Sequence, residues 1–335
     1  MTITLEHAAG TVRIRELGND RRQLTVDVAP GEYVACRQWE TSYPVSLIED
    51  MLRVKGPGWL CDEIRRDEDP AYVQRSFLTH LFAYIDPSEF AGARLLDFGC
   101  GSGASTIVLA RALPHTTIVG VELSDELLSV ARRRVAHSGA RNVTLHQSPS
   151  GTELPRAIGT FGFVVLIGVY EHLLPEERAR LLPQIWSLVR AGGVLVLDQV
   201  PNRLFPIELH TTHLPLINYL PAPLAYRLAR RFCARVKPHE SWQDLLRRGI
   251  RGTSVAEIRR RLPSHGGRAV VLEPTRAAGV RDRIDLWYLT TAPDRRRRLK
   301  AAARAAIKAV QRTTSIELTP DVTLAIRKDA LQAGG

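Results

Sequence analysis

Leu95-Leu96-Asp97-Phe98 runs directly into Gly99-Cys100-Gly101-Ser102-Gly103, so that an apolar run meets three glycines set at every second position. The apolar run suits a buried strand, and the glycines permit a tight turn whose bare backbone a ligand can approach closely. Apolar residues at helical spacing follow within 104–112, so the turn also opens a helix. The unpaired N–H groups of a helix start can meet polar or anionic ligand atoms. Strand, turn and helix in this order belong to an open α/β sheet, whose ligands bind at the carboxyl ends of the strands. Val119-Gly120-Val121-Glu122-Leu123 then ends a second strand, with its acid twenty-five residues after Asp97. A carboxylate at that point can accept both hydroxyl protons of a ribose, so the two segments together describe a nucleoside-containing cofactor. Gly99-x-Gly101-x-x-Ala104 also satisfies the dinucleotide fingerprint, and spacing alone leaves the cofactor open.

The rest of the chain fits an α/β plan. Strands are expected over 94–98, 117–122, 143–146, 163–167, 193–198, 269–272 and 284–289, with helices near 104–112, 124–137 and 174–190. Alternation over 11–15 and 23–28 around Gly18-Asn19-Asp20 reads as a hairpin, and Leu47, Ile48, Met51 and Leu52 begin a helical cap. An insertion of about 70 residues follows the fifth strand, far longer than an ordinary connection. A helix over about 295–312 and a strand at 322–326 close the chain. The domains expected are a hairpin and helical cap (1–74), an α/β domain (75–292, insertion about 200–265) and a basic C-terminal segment (293–335).

Over about residues 75–200, and more weakly to 290, the chain resembles the class I S-adenosylmethionine-dependent methyltransferase family. Leu96-Asp97-Phe98-Gly99-Cys100-Gly101-Ser102-Gly103 looks like that family's first motif, and Glu122 matches its ribose-binding acid. Val169-Tyr170-Glu171-His172-Leu173 and the stretch from Leu188 through Ala191-Gly192-Gly193 to Leu197 match further segments. The resemblance implies S-adenosylmethionine as cofactor, and a Rossmann-like, mostly parallel seven-stranded sheet with helices on both faces. It implies that Asp97, Gly99, Gly101 and Gly103 hold the methionine moiety, that Glu122 holds the ribose, and that Leu123 lies beside the adenine. Gly168 joins the cofactor-binding set. The chain departs from the family at Gln147-Ser148-Pro149-Ser150, where many members place an acid, and at Phe161-Gly162, where many have Phe-Asp. Neutral Gln147 or Ser148 can still hydrogen-bond adenine.

Methyl transfer from a sulfonium is an in-line displacement, in which the enzyme positions the nucleophile and removes a proton from a hydroxyl acceptor. Histidine suits the second task. The candidates are His172, His210 and His213, with Glu208 placed to orient one of them. His210-x-x-His213 has metal-compatible spacing but no clear third ligand, so no metal is expected. A structural role for each of these histidines is the plain alternative.

The chain's net charge of +11 is segregated: residues 200–335 hold 26 Lys/Arg against 11 Asp/Glu, and residues 1–199 hold 20 against 24. Leu224, Leu228, Phe232 and Val236 recur at helical spacing among Arg227, Arg230, Arg231 and Arg235, and a basic run begins at Arg295. These features suggest an anionic membrane surface or a lipid-linked acceptor, with nucleic acid ranked behind for want of a recognition module. Solvated arginines over an ordinary lid would read the same way. The four cysteines form no C-x-x-C pair, and the N-terminus has no leader pattern. The expected location is therefore cytoplasmic, peripheral on the inner face of a membrane. The leading function is O-methylation of a hydroxyl on a hydrophobic, glycan-like or lipid-linked small acceptor. The alternatives are a nicotinamide-dependent oxidoreductase and a non-catalytic membrane- or RNA-binding protein that retains the fold; oligomeric state is not assigned.

Overall fold

The computed structural model describes residues 2–263, 267–291 and 297–330. Strands β1 (Thr2–His7), β2 (Gly10–Gly18), β3 (Arg21–Val28) and β4 (Gln38–Thr41) lead into helices α1 (Val45–Lys55), α2 (Pro57–Glu68) and α3 (Val73–Tyr84). Next come β5 (Arg94–Phe98), α4 (Ala104–Ala112), β6 (Thr117–Glu122), α5 (Asp125–Ser138), β7 (Val143–Gln147) and β8 (Phe161–Ile167). Helix α6 (Pro175–Leu188), β9 (Val189–Pro201), α7 (Ala222–Phe232), α8 (Trp242–Arg247) and α9 (Val255–Arg261) follow. The chain then forms β10 (Arg268–Val271), α10 (Arg283–Thr290), α11 (Arg297–Thr314) and β11 (Asp321–Asp329). It divides into two units, residues 1–75 with 99–148 and residues 76–98 with 149–335. The fold is α/β and Rossmann-like, with a mostly parallel sheet of seven strands accompanied by helices.

In the first unit the expected hairpin is β2–β3, where Val12 faces Val26 and Ile14 faces Leu24 across an antiparallel ladder flanked by β1 and β4. Period-two alternation puts these four side chains on one face. There they pack with Leu47, Ile48 and Met51 of α1, Leu60 and Ile64 of α2, and Val130 of α5. Helix α5 starts where the Ser124 hydroxyl accepts the Leu127 N–H, with Asp125 and Glu126 in its first turn favouring the positive end of the helix dipole. Strands β6 and β7 pair in parallel, Gly120 opposite Leu145.

Arg134 of α5 is fully buried, and polar groups surround its guanidinium. It donates to the Glu63 carboxylate (3.1 Å) and carbonyl (2.7 Å), the Tyr43 hydroxyl (2.9 Å) and the Ser102 carbonyl (3.1 Å), and it pairs with Asp67 at 3.3 Å. The Ser102 hydroxyl donates to Glu63 in turn. The cap helix α2, the helix α5 and the glycine turn are therefore joined by one buried cation.

In the second unit the strands run β10-β11-β9-β8-β5; β5, β8 and β9 are parallel, and β11 is antiparallel to both β9 and β10. The expected strand at 284–289 is instead helix α10. Asp282 caps it by accepting the Asp285 N–H, and Asp285 binds Arg304 and Lys308 of α11. The alternating Ile284-Asp285-Leu286 mimics a strand because a short helix also buries several apolar residues in a row. Strand β11, expected at 322–326, supplies the antiparallel partner of β9.

The insertion has a small core of its own, formed by Ile217, Ala225, Ala229, Cys233, Val236, Leu245 and Ile250. Ala225 and Ala229 of α7 face this core, whereas Leu224 is 42% and Phe232 64% exposed, and Val236 beyond the helix is buried in it. None of the side chains of α11 is buried, and Arg295 and Arg296, which open the expected basic run, lie outside the described residues. Among the described residues no helix is long and apolar enough to cross a membrane.

Burial opposes ionisation of Glu63, yet Lys55 and Arg134 beside it hold its carboxyl down to about 2 from an ordinary 4.5. The ionised form is favoured by folding, so this stabilisation is complete above pH 4.5 and is lost as pH falls through 2. In urea unfolding, Glu63→Gln is expected to be less stable than the wild type at neutral pH. The gap should narrow by about 1.4 kcal/mol for each pH unit below the ordinary carboxylate value. A gap that does not change with pH would show that Glu63 is not ionised in the folded chain.

Candidate functional site

The glycine turn is held by backbone and by one carboxylate. The Val121 carbonyl accepts the N–H groups of Gly99 (2.7 Å) and Cys100 (3.0 Å), which fixes the turn to the end of β6. Glu122 accepts from Gly101 N–H at 2.9 Å, Leu123 N–H at 2.8 Å and Ser124 N–H at 3.0 Å. Its carboxylate is thus locked at the strand end, beside the turn. Gly103 has φ +88°, and a Cβ there would lie 3.1 Å from Ala131, so only glycine suits this start of α4.

The residues expected beside the adenine lie around the same edge. Leu123 is 47% exposed beside Gln147, whose amide donates to the Leu123 carbonyl at 3.3 Å. Ser148 is buried and gives its N–H to the Glu122 carbonyl at 2.8 Å. Gly99, Gly101, Gly103, Glu122, Leu123, Gln147 and Ser148 all belong to the first unit. Asp97, buried at the end of β5, and Gly168, with φ +62° and its N–H on the Asp198 carbonyl at 3.0 Å, belong to the second.

Within the second unit, two of the three expected histidines come together. Buried Arg178 of α6 donates to the carbonyls of Glu171 (2.9 Å), Leu173 (2.8 Å) and Gly252 (2.5 Å), fixing the turn after β8. Nδ1 of His172 lies 2.6 Å from the Arg247 carbonyl, and its Nε2 lies 3.7 Å from Glu171 Oε1. The His210 ring is 5.7 Å from that of His172, centroid to centroid. Burial and the facing His172 hold His210 below its ordinary pKa, so it is neutral near pH 7. Burial pushes the Glu171 carboxyl up to about 8. The nearby recess, about 150 Å³, is lined by Asn202, Arg203, His210, Asn218 and Asp321 among others.

His213 stands apart, with Arg235 donating to its Nε2 at 2.7 Å. Glu208 orients no imidazole. Its carboxylate accepts the backbone N–H groups of His210, Thr211 and Thr212, a loop cap that only the backbone geometry reveals.

A second recess of about 260 Å³ is lined in part by His80, a histidine that the sequence did not mark. His80 of α3 places Nδ1 2.7 Å from Asp198 Oδ1 and Nε2 2.8 Å from the Thr290 hydroxyl, and Thr323 donates to the same Asp198 oxygen at 2.9 Å. Burial alone would lower the pKa of His80, but the Asp198 carboxylate raises it. Gln199, Trp287 and Asp321 complete the wall, and Asp321 is pushed up to about 6 by desolvation and by Asp198. The available signal was a lone histidine between Phe77 and Leu81 on an apolar helix, which more often marks a core position.

A family described as "Methyltransferase domain" matches residues 95–193. The ubiquinone biosynthesis O-methyltransferase of Aromatoleum aromaticum is 33% identical over 115 residues, 34% of this chain and 47% of that protein. The magnesium-protoporphyrin O-methyltransferase of Rhodobacter capsulatus is 27% identical over 119 residues, 36% of this chain and 50% of that one. The chain thus spans about half the length of these curated relatives. A solved precorrin-6y C5,15-methyltransferase from Geobacter metallireducens is 20% identical, covering 36% of this chain and 59% of that one, with a TM-score of 0.30. Residues 95–193, with the turn that opens α4 and its strand-end acid, thus form a domain of the S-adenosylmethionine-dependent methyltransferase kind.

Proposed function

We propose that the protein transfers a methyl group from S-adenosylmethionine to a hydroxyl of a hydrophobic, glycan-like or lipid-linked small molecule. The observation that carries the donor half is Glu122. Three backbone N–H groups hold its carboxylate at the end of β6, where it can accept the hydroxyl protons of a ribose without reorganising. Gly99, Gly101 and Gly103 give the methionine part a close approach to backbone, and Leu123, Gln147 and Ser148 serve the adenine. A neutral amide at Gln147 can accept from the adenine amine through its oxygen, since its nitrogen is engaged with Leu123.

On the acceptor side, Glu171, His172 and His210 form the polar pole. The acceptor oxygen attacks the methyl carbon, the sulfonium leaves as the thioether, and the hydroxyl proton passes to the neutral imidazole of His210. Apolar side chains near this pole, Ile207 at 40% and Leu209 at 45% exposure, suit a greasy acceptor. The outward-facing Leu224 and Phe232 of α7, flanked by Arg227 and Arg231, suit an anionic bilayer from which a lipid-linked acceptor would be taken. The place of action is then the inner face of a membrane, held from the cytoplasmic side.

Isothermal titration should give micromolar binding of S-adenosylmethionine and its demethylated product, lost in Glu122→Ala; binding of NADH alone would sink the reading. With labelled methyl donor and an acceptor found by screening lipid and glycan extracts, His210→Ala should lower kcat roughly 100-fold while donor affinity stays unchanged. An unaltered kcat would remove His210 from the chemistry. Sedimentation with phosphatidylglycerol vesicles should carry the protein down at low salt and release it at about 1 M, where the Debye length is ~3 Å. Equal recovery with neutral phosphatidylcholine vesicles would reject an electrostatic membrane contact.

A further inference from the structure

We infer that Glu171, His172 and His210 form a binding site for one divalent transition-metal ion of the zinc or cobalt kind. One ligand atom from each residue, a carboxylate oxygen and two imidazole nitrogens, lies within 4.8 Å of the other two. A cation between them would draw them in to bonds of about 2.0–2.2 Å. Two imidazoles and a carboxylate favour borderline metals over Mg²⁺ or Ca²⁺, which take sets of oxygen ligands.

Three features beyond proximity point to a cation. Glu171 is 1% exposed, and its Oε2 has no hydrogen-bond partner, so a buried oxygen is left for a ligand to satisfy. His172 faces the Arg247 carbonyl with Nδ1, which must therefore carry the proton and leave the Nε2 lone pair toward Glu171. A backbone carbonyl behind the ligating imidazole is the usual support of metal-bound histidine. Gly249 keeps the flank clear: with φ +91°, a Cβ there would stand 2.8 Å from the His210 ring and 3.2 Å from Glu171 Cγ. The third ligand is not the His213 that spacing alone would have paired with His210. It comes from the turn after β8.

Such a set leaves coordination positions open on the exposed side of His210. The metal claim concerns binding and stands apart from the methyl acceptor.

The test is titration of the chelator-stripped full chain with Co²⁺, followed by visible absorption and then by displacement with Zn²⁺. One equivalent should bind, and Mg²⁺ should not compete. Affinity should fall by more than ~10-fold in His172→Ala, His210→Ala and Glu171→Gln, and stay unchanged in His213→Ala. His210 lies at the surface, so its alanine variant is expected to retain the wild-type circular dichroism. Glu122→Ala should lose the methyl donor yet titrate with Co²⁺ like the wild type, which separates failure of the metal site from failure of the methyltransferase reading. A titration unchanged in both His172→Ala and His210→Ala, or one without a saturable site, overturns the proposal.

Discussion

The buried guanidinium of Arg134 is the constraint on which the first unit of the protein depends. A cation with no exposed surface persists only when its charge and its donors are met, since removing one partner of such a pair leaves a desolvated charge behind. Here the partners come from α2, from Tyr43 and from the Ser102 carbonyl inside the glycine turn. The turn therefore cannot relax without unsatisfying a charge in the cap. This gives the N-terminal segment a purpose beyond covering apolar surface: its acids hold the cation that fixes the ligand-facing loop.

The glycine turn, β5, β6 and α5 were legible because each is specified within a few residues. Glycine spacing, an apolar strand and an N-capping serine are all local signals. The α10 segment misled because eight residues are too few for helical and strand periods to separate, and the deciding contacts, Asp285 to Arg304 and Lys308, lie about twenty residues downstream. Helix α7 turns its small alanine face into the insertion's own core and leaves Leu224 and Phe232 out, a choice between two faces that the spacing left open. His80 and Asp198 are 118 positions apart, and no pattern in one sequence joins them.

Buried charge is met in two ways within the chain. In the first, Arg134, Glu63 and Asp67 satisfy one another, and Glu63 is held firmly ionised. In the second, Glu171 Oε2 and Asp198 Oδ2 are buried without partners, and the Glu171 and Asp321 carboxyls are pushed upward. A saturated network adds rigidity and nothing more is asked of it. An unsaturated one carries a standing cost that a ligand, proton or cation can offset on binding.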